Sequence, residues 1–233
     1  MKTVGIIGGV GPESTIEYYR SIIASYRRLK PDGSYPPVII NSVNLTKLID
    51  CFSSGRLEEA AQYLTGEVQR LAGAGADFAV VAANTPHIVF DEVQRDSPVP
   101  LLSIVRATCE EAARLGMKRL GLFATRFTMR AGFYQRTFAD AGLSLVLPRE
   151  DEQEYVHDKY MNELLKDLFL PETRGRLLSI ARRMRDEEGV EGLILGGTEL
   201  PLILRDADAE EAGVPFLDTT QIHVRAIVAE MLS

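Results

Sequence analysis

Two short turns carry most of the side chains that could do chemistry. Ala83-Asn84-Thr85-Pro86-His87 follows the apolar run 77–83, and Gly197-Thr198-Glu199-Leu200-Pro201 follows the apolar run 191–197. Both turns place hydroxyls and backbone N–H groups just beyond a strand. A small carboxylate needs such donors, and the first turn of a following helix leaves its N–H groups unpaired. Each turn also holds one titratable group. His87 could titrate near neutrality, and Glu199 could act as a base if the turn aims it into a cleft. A third polar stretch adds Thr125 and Thr128. Taken singly, each threonine reads equally well as a helix cap or turn residue, and Glu199 as the complement of a helix dipole. Their recurrence at equivalent points of the chain favours a ligand. The other histidines, His157 and His223, fit structural hydrogen bonding, although His223 could approach the rim of the same cleft.

The composition narrows the classes of function. With 233 residues, 45% of them apolar, the chain can bury a sizeable core. A net charge of −7 without a Lys/Arg cluster excludes a phosphate-backbone partner, so no nucleic acid is expected. No apolar run reaches membrane-spanning length, and "VGIIGGVG" after Lys2 is too short and too glycine-rich for a signal sequence. The expected location is cytoplasmic. The two cysteines, Cys51 and Cys109, suit a reducing compartment and have no metal-ligand spacing, so no metal is expected.

The elements that must position the turns alternate regularly. Apolar runs at 3–9, 37–43, 77–83 and 100–104 read as buried strands separated by helical periodicity, as in "STIEYYRSIIASYRRL". A second series follows at 119–125, 144–148, 191–197 and 214–219, with helices expected over 130–141, 152–167 and 173–187. This alternation predicts an α/β fold of mainly parallel sheets covered by helices.

The two series repeat residues as well as pattern. Lys2, Gly5 and Tyr18 match Lys118, Gly121 and Tyr134 at an offset of 116, and "VPLLS" at 99–103 matches "VPFLD" at 214–218 at an offset of 115. Two halves of one ancestral unit follow. The expected architecture is two domains related by a pseudo-twofold, 1–104 plus 220–233 and 105–219, with the last helix returning to the first domain. Ligands of open parallel sheets bind beyond the strands' carboxyl ends, so the two turns are expected to meet across one cleft.

The loop "GGVGPES" at 8–14 invites a dinucleotide reading, but no acidic residue ends the second strand and Ser14 replaces the third glycine. No cofactor is expected.

Five stretches together, "GIIGGVGPESTIEYY", "AANTPH", "GLFATRFTMRAGFY", "LGGTELP" and "VPFLDTTQIH", make the chain resemble the aspartate/glutamate racemase family, the PLP-independent amino-acid racemases. The resemblance covers essentially the whole length. It implies a racemase or epimerase in which one thiolate removes the α-proton and a second thiol, from the other turn, reprotonates the opposite face. Those cysteines directly precede Asn-Thr and Thr-Glu in the family; here the positions hold Ala83 and Gly197. Neither has a titratable atom, so the two-thiol mechanism is ruled out. Cys109 fits core packing. Cys51 lies nearer the expected cleft, but Asp50 beside it would raise a thiol's pKa.

The resemblance also implies that Asn84, Thr85, Thr125, Thr128 and Thr198 hold the substrate's carboxylate and amino groups. Tyr155 and Phe52 fall where members acting on acidic substrates would carry polar or cationic groups, which argues against aspartate or glutamate. The expected partner is therefore a small amino acid or related carboxylate, with a homodimer as the assembly considered. Glu199 and His87 are the remaining candidates for proton chemistry. A carboxylate-binding pseudoenzyme and a related lyase stay open as alternatives. Restoring both thiols, Ala83→Cys with Gly197→Cys, is expected to create or raise racemase activity.

Overall fold

A computed structural model describes residues 1–233 as two compact units, Met1–Ala107 with Thr220–Ser233, and Thr108–Thr219. The chain runs β1 (Val4–Gly8), α1 (Pro12–Leu29), β2 (Val38–Ser42), α2 (Leu45–Ser53), α3 (Leu57–Gly73), β3 (Phe78–Val81), α4 (Phe90–Asp96) and α5 (Ile104–Arg114). It continues through β4 (Arg119–Phe123), α6 (Arg126–Arg130), α7 (Phe133–Asp140), β5 (Ser144–Val146), α8 (Glu150–Asn162) and α9 (Pro171–Glu188). The last elements are β6 (Gly192–Leu195), α10 (Leu200–Ile203), α11 (Asp208–Ala212), β7 (Phe216–Asp218) and α12 (Thr219–Leu232).

Both sheets are parallel, and they share one strand order. The first runs β2-β1-β3, extended by a parallel bridge between Ala79 and Leu101; the second runs β5-β4-β6-β7. Helices cover the first sheet on both faces, because successive side chains of a strand point to opposite sides. Val4 and Ile6 of β1 and Phe78 and Val80 of β3 pack with Tyr18 and Ile22 of α1 and Val224, Ile227 and Met231 of α12. Ile7, Ala79 and Val81 face Leu64, Val68 and Leu71 of α3.

The repeated glycines have a packing reason. A Cβ on Gly5 would stand 2.9 Å from the Cβ of Ala76, and one on Gly121 would stand 3.0 Å from Leu193 Cδ1 and from Met184 Cε. Both central strands thus need the bare backbone. The repeated tyrosines match too: Tyr18 and Tyr134 are fully buried in their respective units. Tyr18 donates to Nδ1 of His223 at 2.9 Å, and Tyr134 bonds to Thr108, which occupies the equivalent repeat position.

Local chemistry redraws some expected elements. The strand expected over 100–104 shrinks to the single bridge at Leu101. Pro98 and Pro100 lack N–H groups, so the ladder there is limited to Ala79 N–H to Pro100 and Leu102 N–H to Ala79. The helix expected over 130–141 breaks into α6 and α7 around Gly132, which adopts a left-handed conformation. The helix expected over 152–167 starts two residues earlier, ends at Asn162 and gives way to a 3₁₀ turn, Leu164–Lys166.

His223 gives the first unit a built-in sensitivity to acid. Its Nε2–H donates to the Leu102 carbonyl at 3.0 Å while Nδ1 accepts from Tyr18. Burial lowers its pKa from 6.5 to about 4. The native ring is neutral, whereas the unfolded ring takes up a proton below pH 6.5. Stability present above that pH is therefore lost as pH falls towards 4, at about 1.4 kcal/mol per pH unit. Urea unfolding at pH 7.5 and 5 should show this loss. His223→Gln should remove its share of the slope, leaving that of the other buried histidine, His87, whose pKa is also lowered, to about 3. An equal slope in the variant would contradict the assignment.

Candidate functional site

The first turn is built by the exit from β3. All four residues of β3 are buried, and Ala82 N–H still donates to the Ile7 carbonyl at 3.0 Å before the chain turns. Pro86 stops the strand, and Thr85–Val89 form a 3₁₀ turn closed by His87 N–H on the Asn84 carbonyl at 3.0 Å. Ala83 and Asn84 are buried and Thr85 is half-buried.

His87 braces this turn. Its Nδ1–H donates to the Ala83 carbonyl at 3.1 Å, and Nε2 accepts the Ile104 N–H at 3.3 Å. The ring stacks on Phe90 with centroids 4.9 Å apart. Burial, then the neighbouring His223, lowers its pKa to about 3. A ring held neutral and bonded at both nitrogens has none left for proton transfer, so the candidacy of His87 gives way to a structural role.

In the second unit, β4 delivers Thr125 as the cap of α6. Thr128 N–H donates to Thr125 Oγ1 at 3.3 Å, and the two buried hydroxyls lie 3.2 Å apart. α6 is tied to α8 by Arg126–Glu154 at 2.7 Å and Arg130–Glu154 at 3.0 Å. His157 of α8 accepts the Arg126 N–H at 3.3 Å, and burial, then the Arg126 charge, lowers its pKa.

The exit from β6 holds the central observation. Gly196 N–H donates to the Phe123 carbonyl at 2.7 Å, and Leu200 N–H to Gly197 at 3.1 Å, which closes the turn. A Cβ on Gly197 would stand 2.4 Å from Cε2 and 3.1 Å from the hydroxyl oxygen of Tyr160. The tyrosine, from the last turn of α8, thus fills the space of the missing side chain. Its hydroxyl donates to Glu199 Oε2, and Thr198 Oγ1 donates to the same oxygen at 2.8 Å. Glu199 is only 3% exposed. Burial, then the charge of Glu199, pushes the Tyr160 phenol well above its ordinary pKa.

No local pattern marks Tyr160, which meets Glu199 across 39 residues. The clue it did hold is a glycine where a side chain is expected, which calls for a large neighbour to fill the space.

The remaining expectations sort by burial. Cys51 is fully buried in the first unit's core. Cys109 is buried, donates to the Thr137 carbonyl at 3.7 Å and has its thiol pushed up by burial. Phe52 and Tyr155 pack against the cores of their own units. The Gly9 N–H donates to Thr15 Oγ1 at 2.8 Å, so this donor of the glycine loop is engaged within the protein. No helix is long and apolar enough to cross a membrane.

Comparison with known proteins agrees with this frame. Residues 7–227 match the family described as Asp/Glu/Hydantoin racemase. The broad specificity amino-acid racemase RacX of Bacillus subtilis (strain 168) is 23% identical over 239 residues, covering 99% of this chain and 98% of the relative. A crystal structure of an aspartate racemase homologue from Pyrococcus horikoshii OT3 superposes with a TM-score of 0.86 at 35% identity, covering 100% of both chains. The Picrophilus torridus aspartate racemase has the same fold, with a TM-score of 0.77 at 22% identity over 99% of this chain and 94% of that one.

Proposed function

Since the chain belongs to the Asp/Glu/hydantoin racemase family, we propose that it is a cofactor-independent isomerase acting at the α-carbon of a small amino acid or related carboxylate. The observation that carries this reading is the family match over residues 7–227 in a chain whose turns keep their polar residues. The proposed substrate-holding groups are Asn84 and Thr85 in the first unit and Thr125, Thr128 and Thr198 in the second. All five follow the carboxyl end of a strand in their own unit. The broad specificity of RacX supports an amino acid as substrate. Two free, buried thiols are in keeping with a cytoplasmic location, and a homodimer completes the reading.

Neither Ala83 nor Gly197 can supply a thiol, so the proton chemistry falls to other groups. Incubation in D₂O with both enantiomers of each common amino acid tests the proposal. Deuterium at Cα of at least one is the expected result. Ligand-induced thermal stabilisation with no exchange across the panel would instead make the chain a binding protein.

A further inference from the structure

We infer that Tyr160 and Glu199 form the proton-transfer centre of this chain, a phenol and a carboxylate standing where the family's second thiol would be. The inference rests on the family reading above and names the groups that perform its chemistry.

Three observations converge. The ring of Tyr160 occupies the volume of a side chain at position 197, and its hydroxyl oxygen lies 3.1 Å from where the Cβ would be, within reach of the space a thiol there would use. That hydroxyl donates to the buried carboxylate of Glu199, whose Oε2 is also held by Thr198. In the first unit, Ala83 offers nothing titratable and both nitrogens of His87 are engaged. The acid–base capacity of the two turns is thus concentrated in the second.

The step is a relay that leaves the phenol neutral. The Tyr160 oxygen takes the substrate's α-proton while its own proton passes to Glu199. The Cα–H bond breaks and a new O–H bond forms on Tyr160, as the original phenolic O–H is replaced by an O–H on Glu199. The electron pair stays on Cα, delocalised into the substrate carboxyl group, so one negative charge moves from Glu199 to the substrate. Burial next to a carboxylate opposes a free phenolate, and the relay never requires one.

Tyr160→Phe keeps the ring in place and removes the relay. General acid–base catalysis is worth about 10²- to 10⁴-fold, so kcat for α-proton exchange should fall by that factor. KM and ligand-induced thermal stabilisation should hold. Glu199→Gln preserves shape, removes the proton acceptor, and should lose exchange to the same extent. It serves as the second variant should Tyr160→Phe fold poorly. Exchange in the wild type that persists undiminished in either folded variant would overturn this assignment alone. A wild type that exchanges no amino acid in the panel would overturn the family-based reading, and this one with it.

Discussion

Ala83→Cys with Gly197→Cys, which restores both thiols of the family's pair, is expected to yield a less stable protein without racemase activity. Two restored thiols would suggest a gain, but the packing reverses it. A Cβ at 197 stands 2.4 Å from Tyr160 Cε2, closer than van der Waals contact allows. The ring cannot swing away cheaply, because Tyr160 is only 7% exposed and its hydroxyl is bonded to Glu199. Overpacking a core position costs roughly 1–3 kcal/mol, and the lost hydrogen bond to a charged group adds to it, giving about 3 kcal/mol for Gly197→Cys. Tyr160→Ala alone leaves a cavity worth about 3–5 kcal/mol. Combined, the two changes should cost clearly less than their sum, because the new side chain moves into the vacated volume. The interaction energy should reach about 2 kcal/mol in a double-mutant cycle measured by urea unfolding. Additivity within 0.5 kcal/mol would show that position 197 and Tyr160 do not share that space.

Glu152→Ala is expected to destabilise the second unit by about 3 kcal/mol. Glu152 lies in the first turn of α8, where it accepts the Arg149 N–H at 3.0 Å and so caps the helix that carries Tyr160. The Arg183 guanidinium of α9 grips both of its oxygens, one of them at 2.7 Å. The side chains are 5% and 13% exposed, so the pair is largely withdrawn from water. Removing one member of a buried pair costs about 3–5 kcal/mol, because the other charge is left desolvated. Arg183 keeps Glu188 as a partner, which places the cost at the lower end. Glu152→Gln retains an acceptor and should cost about half as much. A loss below 1 kcal/mol for the alanine variant, measured by urea unfolding, would remove the ion pair as the anchor of α8.

The repeat explains how much of this arrangement is legible in the chain. Gly5 and Gly121 stand out at matching positions because each strand is crossed closely by its neighbours, a constraint that leaves glycine as its signature. The two turns are legible because strand ends, prolines and hydroxyl residues follow local rules. The shortened strand at Leu101 was also within reach, since Pro98 and Pro100 announce the missing donors. What local rules cannot supply is the partner of a side chain. His87 looks like a free imidazole until the Ile104 N–H, distant in sequence, is placed on its Nε2. Tyr160 looks like one more residue of an acidic helix until its ring is found beside Gly197. Both are tertiary facts, and the proposed proton-transfer centre in the second turn rests on them.

The most direct test is where the deuterium appears when one enantiomer of an exchanging amino acid is incubated in D₂O and both enantiomers are recovered at early times. A single relay through Tyr160 and Glu199 serves one side of the site, so proton return without reorientation should place deuterium in the recovered starting enantiomer first. The mirror image should form only when the planar carbanion turns its other face to the same phenol. A starting enantiomer that stays protiated while deuterium enters only the inverted product would indicate two opposed proton donors, and would contradict the account.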